Sequence, residues 1–160
     1  IGQMTEIAVI ALMPLIAIRV ARKWLLASGI CAYALRMAIF LLLPEGDLGL
    51  VLAIVGVGLH GLCFGCFIFV AFMVVDEHTT PDVRASAQNL FNMVIVGIGI
   101  IVGSWFATSI VGNWAMGEDG EMQYGRLFSV PLWMSVACLG ILLVAYTGRR
   151  PERGLAQGTG

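Results

Sequence analysis

Long apolar runs recur along this sequence and constrain its fold more than any other feature. Five stretches, residues 1–18, 24–43, 48–75, 81–112 and 127–147, contain few charged side chains. A helix of about 20 apolar residues is long enough to cross the hydrocarbon core of a bilayer. Only 12% of the residues are charged, whereas soluble domains carry about 25%. The sequence therefore predicts an all-α integral membrane protein with about five transmembrane helices.

Basic residues mark one side of the predicted membrane. They lie in the turns after the first and third segments and in the tail: Arg19, Arg22, Lys23, Arg84, Arg149, Arg150 and Arg153. The turns on the opposite side are acidic and carry Arg126 as their single basic residue. Because cytoplasmic loops concentrate Lys and Arg, we expect a cytoplasmic C-terminus. We expect residues 151–160 to form a disordered cytoplasmic tail.

The sequence also argues against several classes of protein. It contains no Ser-His-Asp set and no phosphate-binding loop, so we predict no enzyme and no cofactor. Asp76-Glu77-His78 is interpreted as a solvated helix end, and no metal site is predicted. The basic residues are few and scattered, which disfavours nucleic acid as a partner. The chain starts at Ile1 without a basic flank, which we interpret as the middle of a longer protein and not as a signal peptide.

Two charged residues, Glu6 and Arg36, fall well inside predicted spans. A charge at the bilayer centre costs about 3 kcal/mol on insertion scales, so each should face a partner or a wet cavity. Gln3 lies three residues before Glu6 and shares its helix face. The amide and the carboxylate together suit a polyhydroxylated or heterocyclic solute, and Glu6 is a candidate carrier of a coupling proton. The alternative is that Glu6 only pairs with a cation in a part of the protein that this chain lacks.

Arg36 cannot lose its proton, which excludes it as a proton carrier. We interpret it as a structural intramembrane charge that pairs with an acid on a neighbouring helix; the alternative is a contact to an anion.

His60 forms a stripe with Phe64 and Phe67, which follow it by four and seven residues. A polar ring beside aromatic faces can stack on a nucleobase and hydrogen-bond to it. The alternative is a core histidine whose hydrogen bonds are satisfied within the protein. Cys63 and Cys66 have a C-x-x-C spacing that is used in redox and metal sites, but their apolar flanks favour a packing role.

Two glycine pairs have the small-xxx-small spacing that allows close helix packing in membranes. They are Gly61 with Gly65 in the third segment and Gly99 with Gly103 in the fourth. We expect a helix–helix interface at each pair.

Three sequence blocks resemble one family in particular. Residues 2–6 (GQMTE, followed by Pro14), 34–40 (ALRMAIF) and 83–91 (VRASAQNLF) look like the bacterial nucleoside:proton symporters of the major facilitator superfamily. The similarity extends over almost the whole chain, in order and with matching spacing.

The resemblance implies a twelve-helix fold, of which this chain is the C-terminal portion, from the end of helix eight to helix twelve. It implies proton-coupled nucleoside transport by alternating access at a midplane site, in a bacterial inner membrane. The implied partners are a nucleoside, a proton, the lipid bilayer and the missing N-terminal half of the same protein.

The same resemblance implies site residues. It gives nucleoside contacts to Gln3 and Glu6, and it matches an aromatic-rich contact stretch to the segment from His60 onward, with Phe64 the best-matched aromatic. The chain departs from the family at two positions. It has His60 where the family tends to have Tyr, and Gly65 where the family has an intramembrane Asp.

Two other functions fit parts of the sequence. One is a major facilitator transporter of another polar solute, such as a sugar; Gln3 and Glu6 favour a polar solute over an apolar drug. The other is a non-transporting membrane subunit or an intramembrane enzyme, for which the sequence contains no catalytic set.

Overall fold

Five helices make up the described part of the chain. The computed structural model describes residues 2–17 and 19–146, with side chains from residue 4 onward. The helices in this part are α1 (Gly2–Ala17), α2 (Arg22–Leu41), α3 (Asp47–Glu77), α4 (Arg84–Ala115) and α5 (Tyr124–Ala145). The predicted tail at residues 151–160 lies outside the described residues.

The lengths of the helices fit a membrane protein. Helices α2, α3, α4 and α5 are each long and apolar enough to cross a bilayer, whereas α1 has only 16 residues. The 31 residues of α3 span about 46 Å at 1.5 Å per residue, more than the hydrocarbon core of about 30 Å. Its charged ends, Asp47 and Glu77, can therefore lie outside that core. The prediction of an all-α membrane protein is confirmed.

Two helices begin at other residues than the sequence suggested. Thr80 and Pro81 are residue types typical of a helix start, but Thr80 caps no helix. Its carbonyl accepts a hydrogen bond of 3.1 Å from the N–H of Val83 in a turn. Helix α4 then starts at Arg84 without a side-chain cap. Helix α5 starts at Tyr124, so Arg126 lies in its first turn and not in the preceding loop.

Glycines let α1 pack closely against α3. A Cβ atom on Gly61 would overlap the backbone N of Glu6 and the main chain of Thr5. A Cβ atom on Gly65 would lie 2.8 Å from Cγ1 of Val9. The prediction of a close helix contact at Gly61 and Gly65 is confirmed.

A small buried cluster lies where α1, α2 and α3 meet. Its members are Met13, Ala17, Leu25, Cys66 and Val70. Cys66 is 1% exposed, so it packs in the core, as its apolar flanks predicted.

Contacts at the two ends of the bundle show how the helices run. Arg22, at the start of α2, forms a two-pronged ion pair with Glu77 at the end of α3. Lys23 Nζ donates a hydrogen bond of 2.7 Å to the carbonyl of Leu143 near the end of α5. At the opposite end, the rings of Phe40 and Phe128 lie 5.4 Å apart. Helix α2 is therefore antiparallel to both α3 and α5.

Helix α4 contacts α3 near its N-terminus, and at its C-terminus the carbonyl of Ala115 accepts a hydrogen bond of 2.9 Å from the N–H of Gln123. Gln88 Nε2 donates a hydrogen bond of 2.5 Å to Asp76 on α3, and the rings of Phe72 and Phe91 meet edge to face. Two π-helical segments, Met93–Ile98 and Phe106–Gly112, interrupt its α-helical pattern. The second expected glycine interface does not form among the described residues, because a Cβ atom on Gly103 would have no neighbour within 4 Å.

Candidate functional site

Side chains of helices α2, α3 and α5 line an open cavity of about 410 Å³, which we call the α2–α3–α5 cavity. Its wall is largely apolar, and its hydrogen-bonding side chains include Tyr33 and Arg36 from α2, His60 from α3 and Ser135 from α5. Small-molecule sites have volumes of about 300–1,000 Å³ and combine apolar walls with a few polar groups. The cavity has the size and chemistry of such a site.

Arg36 is held by two neighbours inside the membrane-spanning region. Its Nη1 lies 2.9 Å from Nδ1 of His60, and its guanidinium carbon lies 5.4 Å from the centre of the Phe40 ring. Its Nε atom is buried and has no hydrogen-bond partner. The sequence predicted an acid as the partner of Arg36; among the described residues its hydrogen-bond partner is the imidazole of His60.

Phe40 occupies a fixed position because α2 and α3 approach closely at Gly56. A Cβ atom on Gly56 would lie 2.7 Å from Cε1 of Phe40, so the ring fits against the bare backbone of α3. The ring in turn lies beside Arg36, where a cation over an aromatic face is stabilised by about 0.5–2 kcal/mol.

His60 and Phe64 form a stacked pair in the wall of the cavity. Their ring centres lie 5.9 Å apart with an angle of 28° between the planes. Phe64 is 37% exposed, so part of its face is open to a ligand. The structure therefore brings together His60, Phe64 and Phe67, which the sequence had placed on one stripe, and adds Arg36 to them.

Glu6 lies beside this cavity and not in its wall. It is half-buried on α1, with its backbone against Gly61 of α3. Successive residues of a helix are turned by about 100°, so Gly61 lies on the face of α3 next to the face with His60 and Phe64. The side chain of Gln3, the fourth predicted contact, lies outside the described side chains.

Tyr33 and Ser135 line the cavity but were not predicted as site residues. Tyr33 lies three residues before Arg36, and this spacing on one helix face was a usable signal. Ser135 is 6% exposed and donates a hydrogen bond of 2.7 Å to the carbonyl of Leu132. Nothing in the local sequence distinguishes it from a packing serine.

The acidic side chains at the C-terminal end of α3 form ion pairs. Glu77 pairs with Arg22, and Asp76 accepts from Gln88 and lies 3.7 Å from Nε of Arg84. No group of three metal-ligating side chains is found within residues 2–17 and 19–146.

Comparison with known proteins gives consistent results. The sequence model of the family described as "Nucleoside H+ symporter" matches residues 1–151. The nucleoside permease NupG of Escherichia coli (strain K12) is 30% identical over 111 residues, which cover 69% of this chain and 27% of the permease. The xanthosine permease of the same organism is 28% identical over 130 residues, which cover 81% of this chain and 31% of that protein.

A solved structure is also similar. A crystal structure of the nucleoside transporter NupG superposes with a TM-score of 0.80 at 24% sequence identity, over 91% of this chain and 36% of that one. The chain thus spans about a third or less of the length of these relatives and shares the fold of the matched part of the solved structure. Because the family's sequence model matches nearly the whole chain, this protein belongs to the nucleoside H+ symporter family.

Proposed function

We propose that this chain contributes to a transporter that moves nucleosides together with protons across a bacterial inner membrane. The observation that carries the proposal is the stacked pair of His60 and Phe64 in the wall of a cavity of about 410 Å³. The names of the similar proteins, a nucleoside permease and a xanthosine permease, support the same class of solute.

In this proposal the nucleobase binds against the stripe of His60 and Phe64. An aromatic ring and an imidazole offer a flat face together with a hydrogen-bonding edge, which matches a planar heterocycle better than it matches a sugar. The largely apolar wall of the cavity presents few polar groups that compete with the base.

In the same proposal, Glu6 and Gln3 on α1 contact the sugar of the nucleoside at the edge of this site. Glu6 lies next to the face of α3 that neighbours the face with His60 and Phe64. A carboxylate can accept hydrogen bonds from ribose hydroxyls, and a carboxylate inside a membrane is also a suitable carrier for a proton. We therefore assign to Glu6 both sugar contact and proton coupling. Arg36 has a structural role in this scheme, because it keeps its charge throughout the transport cycle.

The experiment compares two aromatic substitutions in the complete protein that contains this chain. Phe64→Ala removes the exposed ring in the cavity, and Phe72→Ala removes a ring that packs against Phe91 on α4. Stacking of a base on an aromatic side chain contributes about 1–3 kcal/mol, so Phe64→Ala should raise the KM for uridine about 5- to 150-fold. Phe72→Ala should leave the KM near that of the parent.

Uptake of labelled uridine at matched protein levels measures the KM of each variant. Parallel assays include glucose as a competitor. Equal KM values for the two variants would contradict the assignment of the base site. Competition by glucose but not by other nucleosides would favour the sugar transporter.

A further inference from the structure

Arg36 determines which nitrogen of His60 carries the proton. A guanidinium has only N–H donors and no acceptor, so in the contact of 2.9 Å between Nη1 and Nδ1 the histidine nitrogen must accept. An imidazole whose Nδ1 accepts a hydrogen bond is neutral and carries its proton on Nε2. The Arg36 contact therefore selects the Nε2–H tautomer of His60.

Arg36 is itself well positioned to do this. Its guanidinium contacts both the ring of Phe40 and the imidazole of His60, and Phe40 is held against Gly56. The charged group thus has little freedom to turn away from Nδ1.

The remaining nitrogen of His60 is a donor in need of an acceptor. Among the described residues, no hydrogen-bond partner is found for Nε2, while the side chain lines the largely apolar α2–α3–α5 cavity. Nε2 is not among the buried unpaired atoms of the described side chains, so it is accessible to a ligand that enters the cavity. Once a ligand covers this donor, leaving it unpaired is unfavourable, and a ligand that brings an acceptor avoids this cost.

We propose that Arg36 is a positioning residue for nucleobase recognition: it holds His60 as the Nε2–H tautomer, which donates a hydrogen bond to an acceptor atom of the base stacked on Phe64. The inference rests on the proposed nucleoside transport and adds a rule of specificity to it. A base that presents a carbonyl oxygen or an unprotonated ring nitrogen to His60 is bound, and an analogue without that acceptor is disfavoured because the donor is left unpaired.

The first test reads the tautomer directly and needs no ligand. The complete protein is labelled with ¹⁵N-histidine, and the His60 signals are identified by their loss in His60→Phe. The inference predicts an unprotonated Nδ1 and a protonated Nε2 in the parent, and a shift toward a mixture of tautomers in Arg36→Leu. A protonated Nδ1 in the parent would overturn it, as would an unchanged tautomer in a folded Arg36→Leu variant.

The second test pairs nucleoside analogues with the His60→Phe variant, which keeps a flat ring and removes the donor. Competition against labelled uridine or inosine is measured with analogues that each lack one acceptor: the 4-oxo group of uridine, the 6-oxo group of inosine or its N7. One such deletion should weaken binding to the parent about 2- to 12-fold, the range for a single hydrogen bond. In His60→Phe the same deletion should have no effect.

The outcomes separate this inference from the proposed function. If the parent transports uridine or inosine but discriminates among the analogues just as His60→Phe does, the donor role of His60 is wrong and nucleoside transport stands. If the parent neither binds nor transports any nucleoside, the proposed function is wrong and this inference is wrong with it.

Discussion

At the scale of single residues, the charges inside the membrane have different kinds of neighbours. Arg36 has its charge beside an aromatic ring and an imidazole on α3. Glu6 lies where α1 crosses Gly61, one helix face away from the cavity. Because a carboxylate can bind and release a proton and a guanidinium cannot, only Glu6 of these two can couple a proton to transport.

The substitution Glu6→Gln separates two roles of this residue. It keeps the size and the hydrogen-bonding capacity of the side chain but removes the titratable charge. If Glu6 both carries the coupling proton and contacts the sugar, as proposed, the variant loses uphill nucleoside accumulation and retains a weakened exchange of labelled for unlabelled nucleoside. If Glu6 only contacts the sugar, both activities weaken together, through the loss of about 1.5–3 kcal/mol for a hydrogen bond to a charged group.

Glu45→Gln is the matched control. Because Glu45 is exposed in the loop before α3, this substitution should leave uphill uptake and exchange unchanged. A well-expressed Glu6→Gln variant with parental uphill uptake and parental exchange would show that Glu6 has neither role.

At the scale of helices, the contact between α1 and α3 depends on glycine, which has no side chain. A Cβ atom on Gly61 would overlap the backbone of α1, whereas one on Gly58 would meet nothing within 4 Å. Both glycines lie in the interior of α3, so the difference between them is one of packing and not of helix propensity.

Gly61 and Gly58 together give a prediction for the stability of the protein. Gly61→Ala should lower the free energy of unfolding by about 1–3 kcal/mol, as expected when atoms are added to a packed contact. Gly58→Ala should be neutral or stabilising by up to about 1 kcal/mol, since Ala favours a helix over Gly. Thermal unfolding of the two variants in the same detergent measures the difference. Equal unfolding temperatures would contradict the close contact between α1 and α3.

The helices themselves were predictable from the sequence, because long apolar runs leave a membrane-spanning chain few other choices. Their exact starts were not. Thr80 and Pro81 have the chemistry of a helix start, yet the chain makes one more turn before α4 begins at Arg84. The choice between two nearby starts depends on contacts with α3, such as that of Asp76 with Gln88, which local sequence does not contain.

At the scale of the whole molecule, the site combines residues that are far apart in sequence. The stripe of His60 and Phe64 was predictable, since their spacing places them on one helix face. The contact between Arg36 and His60 was not, because it depends on how α2 and α3 are rotated against each other. The packing of α1 against Gly61 places Glu6 outside the cavity wall that contains His60.

The arrangement of the bundle predicts which loops share a side of the membrane. The ends of α2, α3 and α5 that carry Arg22, Glu77 and Leu143 lie together, and the basic residues of the sequence favour the cytoplasm for this side. A cysteine in place of the exposed Glu45 or Glu118 should therefore react with an impermeant thiol reagent added outside intact cells. A cysteine in place of the exposed Thr80 should react only after the membrane is opened.

The unsubstituted protein is the control for natural cysteines, of which this chain contains four. Labelling of Thr80→Cys from outside, with protection of Glu45→Cys, would mean that the bundle has the reverse orientation.

Proton-driven accumulation of a nucleoside by the complete protein is the decisive measurement for proton-coupled transport. Purified protein in liposomes, with an inwardly directed proton gradient, should concentrate labelled uridine or inosine above the external level. A protonophore should reduce the internal concentration to the external one. Uptake that never exceeds equilibration, or accumulation that a protonophore leaves unchanged, would contradict proton-coupled nucleoside transport.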